Sequence, residues 1–290
     1  MRIAPECFPC FFQQIVKTGR VVGASDGDLY RAISEFAMAV PRVAVTVTPA
    51  EVGGIAYRIL AQVTKVADPY RVLKRECIRE ALALSPAVEE LVAASEDRLL
   101  AAAKAAIAGN VIDFGVVSDQ VIFAQFDATM RQDLAVNHFP EFKRRLEESR
   151  SVLYIADNAG ETVFDRVLIE ELHKPVTYAV RESPIINDAM IADAVQSGLN
   201  SIARLISSGC SLPGTIPRFC SEEFRGKLAA ADLIISKGQG NYEGLSDERL
   251  PVFFLLKAKC EAVARDLKVN LGDLVLMKSR NYFSARPTPA

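Results

Sequence analysis

The chain has 290 residues, of which 50% are apolar and 24% charged, and its formal net charge is −2. With 34 basic and 36 acidic residues, it has no surplus of positive charge to attract nucleic acid or an anionic membrane. No run of about 18 apolar residues could form a membrane-spanning helix. Pro5 and Glu6 interrupt the segment where a signal peptide would be apolar, so we expect a cytoplasmic protein.

Helical periodicity dominates the first half of the chain. Apolar residues recur at helical spacing in four segments, which we predict to be helices over residues 29–38, 50–64, 70–84 and 87–108. No repeat or low-complexity segment interrupts this pattern. We therefore predict a mainly helical N-terminal region over residues 1–150.

After residue 150 the pattern changes to short apolar runs separated by helical segments. The runs, taken as strands, are residues 151–156, 175–180, 231–236, 252–256 and 274–277. Uninterrupted apolar runs indicate strands buried on both faces of a parallel sheet. We predict a three-layer α/β domain with a mostly parallel sheet over residues 151–290. In such sheets the ligand binds beyond the carboxyl ends of the strands, near the switch point.

Polar residues follow three of these strands at that edge. Asp157 and Asn158 follow the first strand, Asn187 and Asp188 follow the second after a turn, and Lys237 follows the third. Carboxylate and amide oxygens suit Mg²⁺ or Mn²⁺. Asp157, Asn158 and Asp188 are too few to enclose a cation, which leaves positions for water and substrate oxygens. Each segment alone would fit a turn or a helix cap, but their coincidence favours a metal and phosphate site.

The segment Lys237-Gly238-Gln239-Gly240-Asn241 is the candidate phosphate-binding loop. A lysine beside a glycine-rich turn with exposed backbone N–H groups suits a phosphate, and we expect the ammonium to project over the rim. The chain has neither the P-loop motif nor the glycine pattern of a dinucleotide fold, which disfavours those nucleotide sites. Because it has only two histidines, a multi-histidine zinc site is excluded.

Taken together, these motifs make the chain resemble the domain of unknown function 89 family of metal-dependent damage-control phosphatases. The resemblance covers nearly the whole chain and is carried in order by Cys7-Phe8-Pro9-Cys10, Gly109-Asn110-Val111-Ile112-Asp113, Asp157-Asn158-Ala159-Gly160-Glu161, Asn187-Asp188 and Lys237-Gly238-Gln239-Gly240-Asn241. The first subfamily, found largely in prokaryotes, is resembled by the C-x-x-C pair together with Gly240-Asn241-Tyr242-Glu243 and Lys259-Cys260. Tyr242 stands where phenylalanine is usual.

The resemblance implies a divalent cation (Mn²⁺, Ni²⁺, Co²⁺ or Mg²⁺) held by Asp157, Asn158 and Asp188. It also implies hydrolysis of small phosphate esters, including damaged or side-product metabolites. A cation together with Lys237 would supply positive charge to the phosphoryl oxygens during transfer. Either Asp157 or Asp188 would position the attacking water or itself attack, and we therefore take Asp157, Asp188 and Lys237 as the candidate catalytic residues.

A wider set of residues is expected to contact the substrate. The candidates are Asn110, Asp113, Glu161, Lys237, Gly238, Gly240 and Asn241. Backbone N–H groups of residues 238–240 would orient the phosphate. Asn110 and Asp113 either join the rim from the helical region or form a helix C-cap and loop.

Six motif residues have an open role: Cys7, Cys10, Tyr242, Glu243, Lys259 and Cys260. The three thiols could bind a soft metal, form a redox switch or simply pack. We expect Cys7 and Cys10 to be free thiols, because the cytoplasm is reducing and a disulfide across so short a loop gives little entropic stabilisation.

Two other functions compete with the phosphatase. A carboxyl methyltransferase would need a glycine-rich loop after the first strand, where residues 157–161 contain a single glycine. A non-catalytic phosphometabolite-binding protein could use the same phosphate-binding residues without a metal ion that has a free coordination position. The sequence leaves the physiological substrate, the native metal and the oligomeric state open.

Overall fold

A computed structural model describes residues 1–109 and 126–283. The helices are α1 Cys7–Val21, α2 Asp26–Ala39, α3 Pro49–Thr64, α4 Arg71–Ala93, α5 Arg98–Gly109, α6 Phe139–Glu148, α7 Thr162–Leu172, α8 Ile191–Gln196, α9 Glu222–Ala230, α10 Gln239–Leu245, α11 Glu261–Leu267 and α12 Arg280–Phe283. The strands are β1 Leu134–Asn137, β2 Val152–Ile155, β3 Val176–Val180, β4 Arg204–Ser207, β5 Leu233–Lys237, β6 Val252–Lys257 and β7 Leu274–Lys278. Within the described ranges, no helix is long and apolar enough to cross a membrane.

The seven strands form one sheet in the order β1-β7-β6-β5-β2-β3-β4. All neighbouring strands are parallel except β6 and β7, which are antiparallel. In β2, Val152 and Tyr154 pack into the core on one face, whereas Leu153 and Ile155 pack into the core on the other. This burial on both faces explains the continuous apolar runs. The predicted three-layer α/β architecture with a mostly parallel sheet is confirmed.

Helices α1 to α3 form a separate packed unit whose core includes Ile15, Phe36 and Leu60. The α3 helix begins after Thr48, where Thr48 and Glu51 form a reciprocal capping box. On α3, Gly54 leaves room for the loop after β4, since a Cβ there would lie 2.3 Å from a methyl of Leu212. The helical unit therefore lies directly against the loops at the carboxyl edge of the sheet.

The helical region differs from the prediction around Pro86. The sequence predicts a break there, but α4 continues through Pro86 to Ala93. Ala81 and Val88, on either side of it, are buried, so burial of this face offsets the backbone hydrogen bond that proline cannot make. The break comes instead before α5, where the Asp97 carboxylate accepts a hydrogen bond from the Leu100 backbone N–H at 3.1 Å.

Two strands were not predicted, the edge strands β1 and β4. Each has only four residues. In β1 the residues alternate between half-buried and exposed, and in β4 none is fully buried. Edge strands lack the continuous apolar run that identifies a central strand. Strand β1 pairs with β7 although it precedes residue 150. The predicted boundary at residue 150 between the helical region and the α/β domain stays a prediction.

Candidate active site

The candidate site lies at the switch point of the sheet. From β2 the chain continues to β3 and β4 on one side, whereas β5 and β6 lie on the other. Asp157 and Asn158 follow β2, the loop after β3 carries Asp188, and Lys237 ends β5. Because these three strands are adjacent and parallel, their carboxyl ends deliver the predicted residues to one edge.

Backbone contacts hold the candidate metal ligands together. Asn158 and Asp188 form an isolated antiparallel bridge, and the Ala189 N–H donates to the Asp157 carbonyl at 2.7 Å. The Asn158 amide donates to Asp157 Oδ2 at 3.1 Å and also to the carboxylate of Glu161. The structure thus brings Asp157, Asn158 and Asp188 into one group, as the sequence predicts.

The electrostatics of this group fit a cation. Burial, together with the carboxylates of Glu161 and Asp188, raises the pKa of Asp157 to about 8. Burial also raises the pKa of Asp188, although Arg181 opposes it. Crowded, buried carboxylates resist ionisation, and a divalent cation would relieve that repulsion. Two carboxylates and an amide supply hard oxygen ligands for such an ion.

Gly238 leaves room for the side chain of Asp157. It has a φ of +76°, a conformation that favours glycine. A Cβ at this position would lie 1.9 Å from Asp157 Oδ2 and would displace that carboxylate. In the described part of the chain, no group of three or more His, Cys, Asp or Glu side chains is arranged to hold a metal ion.

Sequence reasoning missed Arg181, which is buried and directly follows β3. Its Nε donates to Asp188 Oδ2 at 2.7 Å, its Nη1 donates to Thr215 Oγ1 at 2.7 Å, and its Nη2 donates to Asn241 Oδ1 at 2.8 Å. A planar guanidinium suits this fixed, three-way arrangement. Arg181 thereby fixes the orientation of Asp188. Its place at a strand end was the signal that could have identified it.

Asn241 lies below the rim, with no exposed surface. Its amide donates to the carbonyls of Ala156 at 2.8 Å and Lys237 at 2.7 Å. Its oxygen accepts from Arg181 and from the Thr215 N–H. All four hydrogen-bonding positions of the carboxamide are occupied. The structure therefore gives Asn241 a supporting position that joins the ends of β2 and β5, and not the substrate-contacting position that was predicted.

Lys237 is fully buried and does not project freely over the rim, contrary to expectation. Its ammonium donates to Glu161 Oε2 at 2.9 Å and to Asp165 Oδ1 at 2.7 Å. Although burial lowers the pKa of Lys237, these two carboxylates hold it above its ordinary value. Lys237 therefore remains charged within a buried ionic group next to Asn158, whose amide also reaches Glu161.

Asp165 was also missed by sequence reasoning. It has no exposed surface and accepts hydrogen bonds from the hydroxyls of Tyr154 and Tyr178, each at 2.7 Å, in addition to the bond from Lys237. The two tyrosine rings stack with their centroids 5.2 Å apart. Asp165 and its two tyrosines fix the position of the Lys237 ammonium from below.

The glycine-rich loop offers fewer free donors than predicted. The Gly238 N–H donates to the Leu255 carbonyl at 3.0 Å and is therefore used within the sheet. The N–H groups of Gln239 and Gly240 lie in the first turn of α10, where backbone donors have no partner within the helix. Gly240 packs closely against Pro213, since a Cβ would lie 2.2 Å from the Pro213 carbonyl oxygen. The backbone contacts to phosphate stay a prediction for residues 239 and 240.

The subfamily motifs converge on Gln239. Its amide nitrogen donates to Glu243 Oε1 at 3.0 Å and to Cys260 Sγ at 3.4 Å, and its oxygen accepts from the Lys259 N–H at 3.1 Å. Burial raises the pKa of Glu243 to about 7. Gln239 thus links the start of α10 to the Lys-Cys motif after β6.

The remaining motif residues have simple placements. Tyr242 is buried, donates its hydroxyl to Asp266 and packs edge-on against Phe254 at 5.1 Å between ring centroids. All six cysteines are free thiols, and the reduced state of Cys7 and Cys10 in the cell stays a prediction. The predicted contacts of Asn110 and Asp113 lie outside the described residues.

Comparison with known proteins identifies relatives along nearly the whole chain. An uncharacterised protein of Methanocaldococcus jannaschii is 35% identical over 96% of each chain. A damage-control phosphatase of Archaeoglobus fulgidus is 34% identical over 95% of this chain and 98% of its own. A damage-control phosphatase of Pyrococcus horikoshii is 42% identical over 62% of this chain and 64% of its own.

The fold has a close counterpart among solved structures. The crystal structure of a Pyrococcus horikoshii protein, described as a member of the domain of unknown function 89 family, superposes with a TM-score of 0.90 at 32% identity. The match covers 97% of this chain and all of that one. Residues 3–275 match the family described as the damage-control phosphatase ARMT1-like domain. The chain therefore belongs to the damage-control phosphatase ARMT1-like family.

Proposed function

We propose that this protein hydrolyses small phosphate monoesters, with one divalent cation held by Asp157, Asn158 and Asp188. Family membership supports the phosphatase and disfavours both the carboxyl methyltransferase and the non-catalytic binding protein. The observation that carries the assignment of residues is the convergence of two buried carboxylates and an amide at adjacent strand ends, beside a glycine that leaves room for them.

A bound cation would supply positive charge to the phosphoryl and attacking oxygens. Mn²⁺, Ni²⁺, Co²⁺ and Mg²⁺ all suit the donor set that we propose. The other contributions come from the chain itself. Arg181 holds Asp188 in a single orientation, so that the carboxylate needs no rearrangement when substrate binds. The N–H groups of Gln239 and Gly240, in the first turn of α10, would orient the phosphate.

Lys237 contributes a fixed positive charge in our proposal. Its ammonium is held by Glu161 and Asp165 and is shielded from water, so it stays charged and fixed in position beside the site. Asp157 or Asp188 positions the attacking water or itself attacks. The six free thiols are consistent with the reducing cytoplasm as the place of action.

The test is a screen of phosphorylated metabolites for phosphate release with each of the four cations. We expect metal-dependent turnover of at least one small ester.

Asp157→Ala and Asp188→Ala should each lose this turnover at ordinary metal concentration while remaining folded, because each removes one of the few proposed metal ligands. Asp133→Ala, which removes an exposed carboxylate elsewhere, is the matched control and should keep it. Wild-type turnover in either site variant would remove that residue from the site.

A further inference from the structure

A cavity of about 220 Å³ lies between the helical unit and the loop that follows β3. Helices α1 and α3 form one side, with Thr18, Tyr57 and Arg58 among the lining residues. Ser183, in the loop after β3, and Ser211 line the opposite side. The lining thus combines hydroxyl groups and one cationic side chain with apolar walls. It is smaller than the pockets that hold drug-sized ligands and suits a compound of a few carbons.

The cavity adjoins the candidate active site through a short connection. Ile185 and Ile186 belong to its wall, and the Asp188 N–H donates to the Ile185 carbonyl at 3.0 Å. The Cα atoms of Ile186 and Asp188 are two residues apart and therefore separated by at most about 7 Å. Burial raises the pKa of the lining residue Tyr57, and the nearby charge of Asp188 raises it further. A small ester with its phosphoryl group at Asp188 would therefore have this cavity beside it.

The turn that makes this connection is strained. Ile186 has a φ of +45°, which is a rare conformation for a β-branched residue. The next residue, Asn187, accepts a hydrogen bond from the Ala159 N–H at 2.8 Å, which anchors the turn to the loop after β2. Strained residues of this kind cluster at ligand sites, where the surrounding structure maintains them. The wall of the cavity is therefore fixed relative to the candidate metal ligands.

Charge indicates what the cavity binds. Among the described lining residues, Arg58 is the one that is charged, and none is Asp or Glu. Within residues 1–109 and 126–283, Arg58 forms no ion pair with a carboxylate. The Tyr57 hydroxyl donates to Gln14 at 2.8 Å, which holds its ring at the cavity. Arg58 is exposed, and Ser183 and Ser211 supply hydroxyl groups to the same lining. A guanidinium without a carboxylate partner, together with such hydroxyl donors, suits an anionic group.

We propose that this cavity receives the part of the substrate beyond the phosphoryl group, and that Arg58 binds an acidic group there. The preferred substrates are then small phosphate esters that carry a second acidic group, such as a carboxylate. This inference rests on the proposed phosphatase function and adds a substrate class to it.

The test compares two probes of similar size, 3-phosphoglycerate and glycerol 3-phosphate, which differ in a carboxylate. A hydrogen-bonded charge pair changes affinity by roughly ten-fold or more. We therefore expect the wild type to favour the acid in kcat/KM by about ten-fold, and Arg58→Gln to lose most of that preference. Arg42→Gln, which removes an exposed arginine outside the cavity lining, is the matched control and should retain it.

Binding gives a readout that does not need turnover. Isothermal titration of the same two probes, without added metal, should show tighter binding of the acid to the wild type and no such difference in Arg58→Gln. If no ester is hydrolysed with any cation, the proposed function fails. The titration still decides whether Arg58 binds an acidic group.

Three results would overturn the inference. One is a wild type that shows no preference for the acid in either assay, and another is an unchanged preference in Arg58→Gln. The third is an effect of free malonate on the turnover of glycerol 3-phosphate, either stimulation or non-competitive inhibition, that Arg58→Gln abolishes. This result would show that the cavity binds a separate anion and not a part of the substrate.

Discussion

At the residue scale, Gly238 is the position where a single methyl group should matter most. In Gly238→Ala the new Cβ would collide with Asp157, and the φ of +76° would be strained as well. We expect metal-dependent turnover to fall by roughly 100-fold or more and the free energy of unfolding to fall by about 1–2 kcal/mol. Phosphate release and urea unfolding measure the two effects.

Gly226→Ala is the matched control for this substitution. Gly226 is exposed within α9, and a Cβ there would meet nothing within 4 Å. Replacing an interior helix glycine by alanine should raise the free energy of unfolding by up to about 1 kcal/mol and leave turnover unchanged. If Gly238→Ala behaves like Gly226→Ala, the space beside Asp157 has no part in the site.

Lys237 can be tested separately as a charge for the reaction and as a partner of buried acids. Lys237→Met leaves Glu161 and Asp165 without their cation and should cost about 3–5 kcal/mol of stability. The double variant Lys237→Met with Asp165→Asn keeps the net charge of the group and should recover much of that stability. Its kcat/KM should stay roughly two orders of magnitude below wild type. Recovery of wild-type turnover would show that Lys237 only balances the buried acids.

Single residues also show how far the sequence alone could go. Asp157, Asn158 and Asp188 were predictable, because each follows an apolar run that reads as a central strand. Arg181 also follows a strand, but its role and that of Asp165 were not predictable, since both depend on partners distant in sequence: Arg181 bonds to Asn241 and Asp165 to Lys237. Whether Lys237 projects into solvent or lies under the rim is likewise decided by these long-range contacts and by no local pattern.

At the scale of elements, three helices end at a residue with a strained backbone conformation, and the cost of that strain can be measured. Lys65, His173 and Lys268 cap α3, α7 and α11 in the left-handed conformation, with φ between 50° and 62°. Glycine adopts this conformation without the penalty of a Cβ. We expect Lys65→Gly, His173→Gly and Lys268→Gly each to raise the free energy of unfolding by roughly 1 kcal/mol.

The control for these caps is a helix end with ordinary geometry. Ala94 caps α4 with a right-handed φ of −83°, so Ala94→Gly should lower stability slightly. Thermal or urea unfolding measures all four variants. Equal effects at left-handed and right-handed caps would contradict this explanation.

The elements themselves were predicted to the extent that burial leaves a simple pattern. The five strands buried on both faces were recognisable as apolar runs, whereas β1 and β4 were not, because an edge strand is short and partly exposed. The expected break at Pro86 was wrong, since packing of the α4 face outweighs one missing hydrogen bond. At Pro86, local propensity gives way to tertiary packing.

At the scale of the whole molecule, the proposed site lies where two packed units meet. The α/β sheet supplies the metal ligands, and the α1–α3 unit supplies the other wall of the neighbouring cavity. Gly53 and Gly54 on α3 permit this approach to Leu212 and Pro213. The sequence could indicate both units but not their contact, because no periodicity within either one describes the surface they share.

The most direct test of the account is a titration of metal-free protein with Mn²⁺, followed by electron paramagnetic resonance, with phosphate release measured in the same samples. We predict one tightly bound Mn²⁺ per chain and turnover that rises in proportion to its occupancy. Asp157→Asn should lose both properties while unfolding at a temperature no lower than wild type, because burial already raises the pKa of that carboxyl. Asp188→Asn should also lose both properties, and it should unfold at a lower temperature because Arg181 is left without its buried charge partner. Tight Mn²⁺ binding with full turnover in Asp188→Asn, or wild-type turnover without bound metal, would contradict the account.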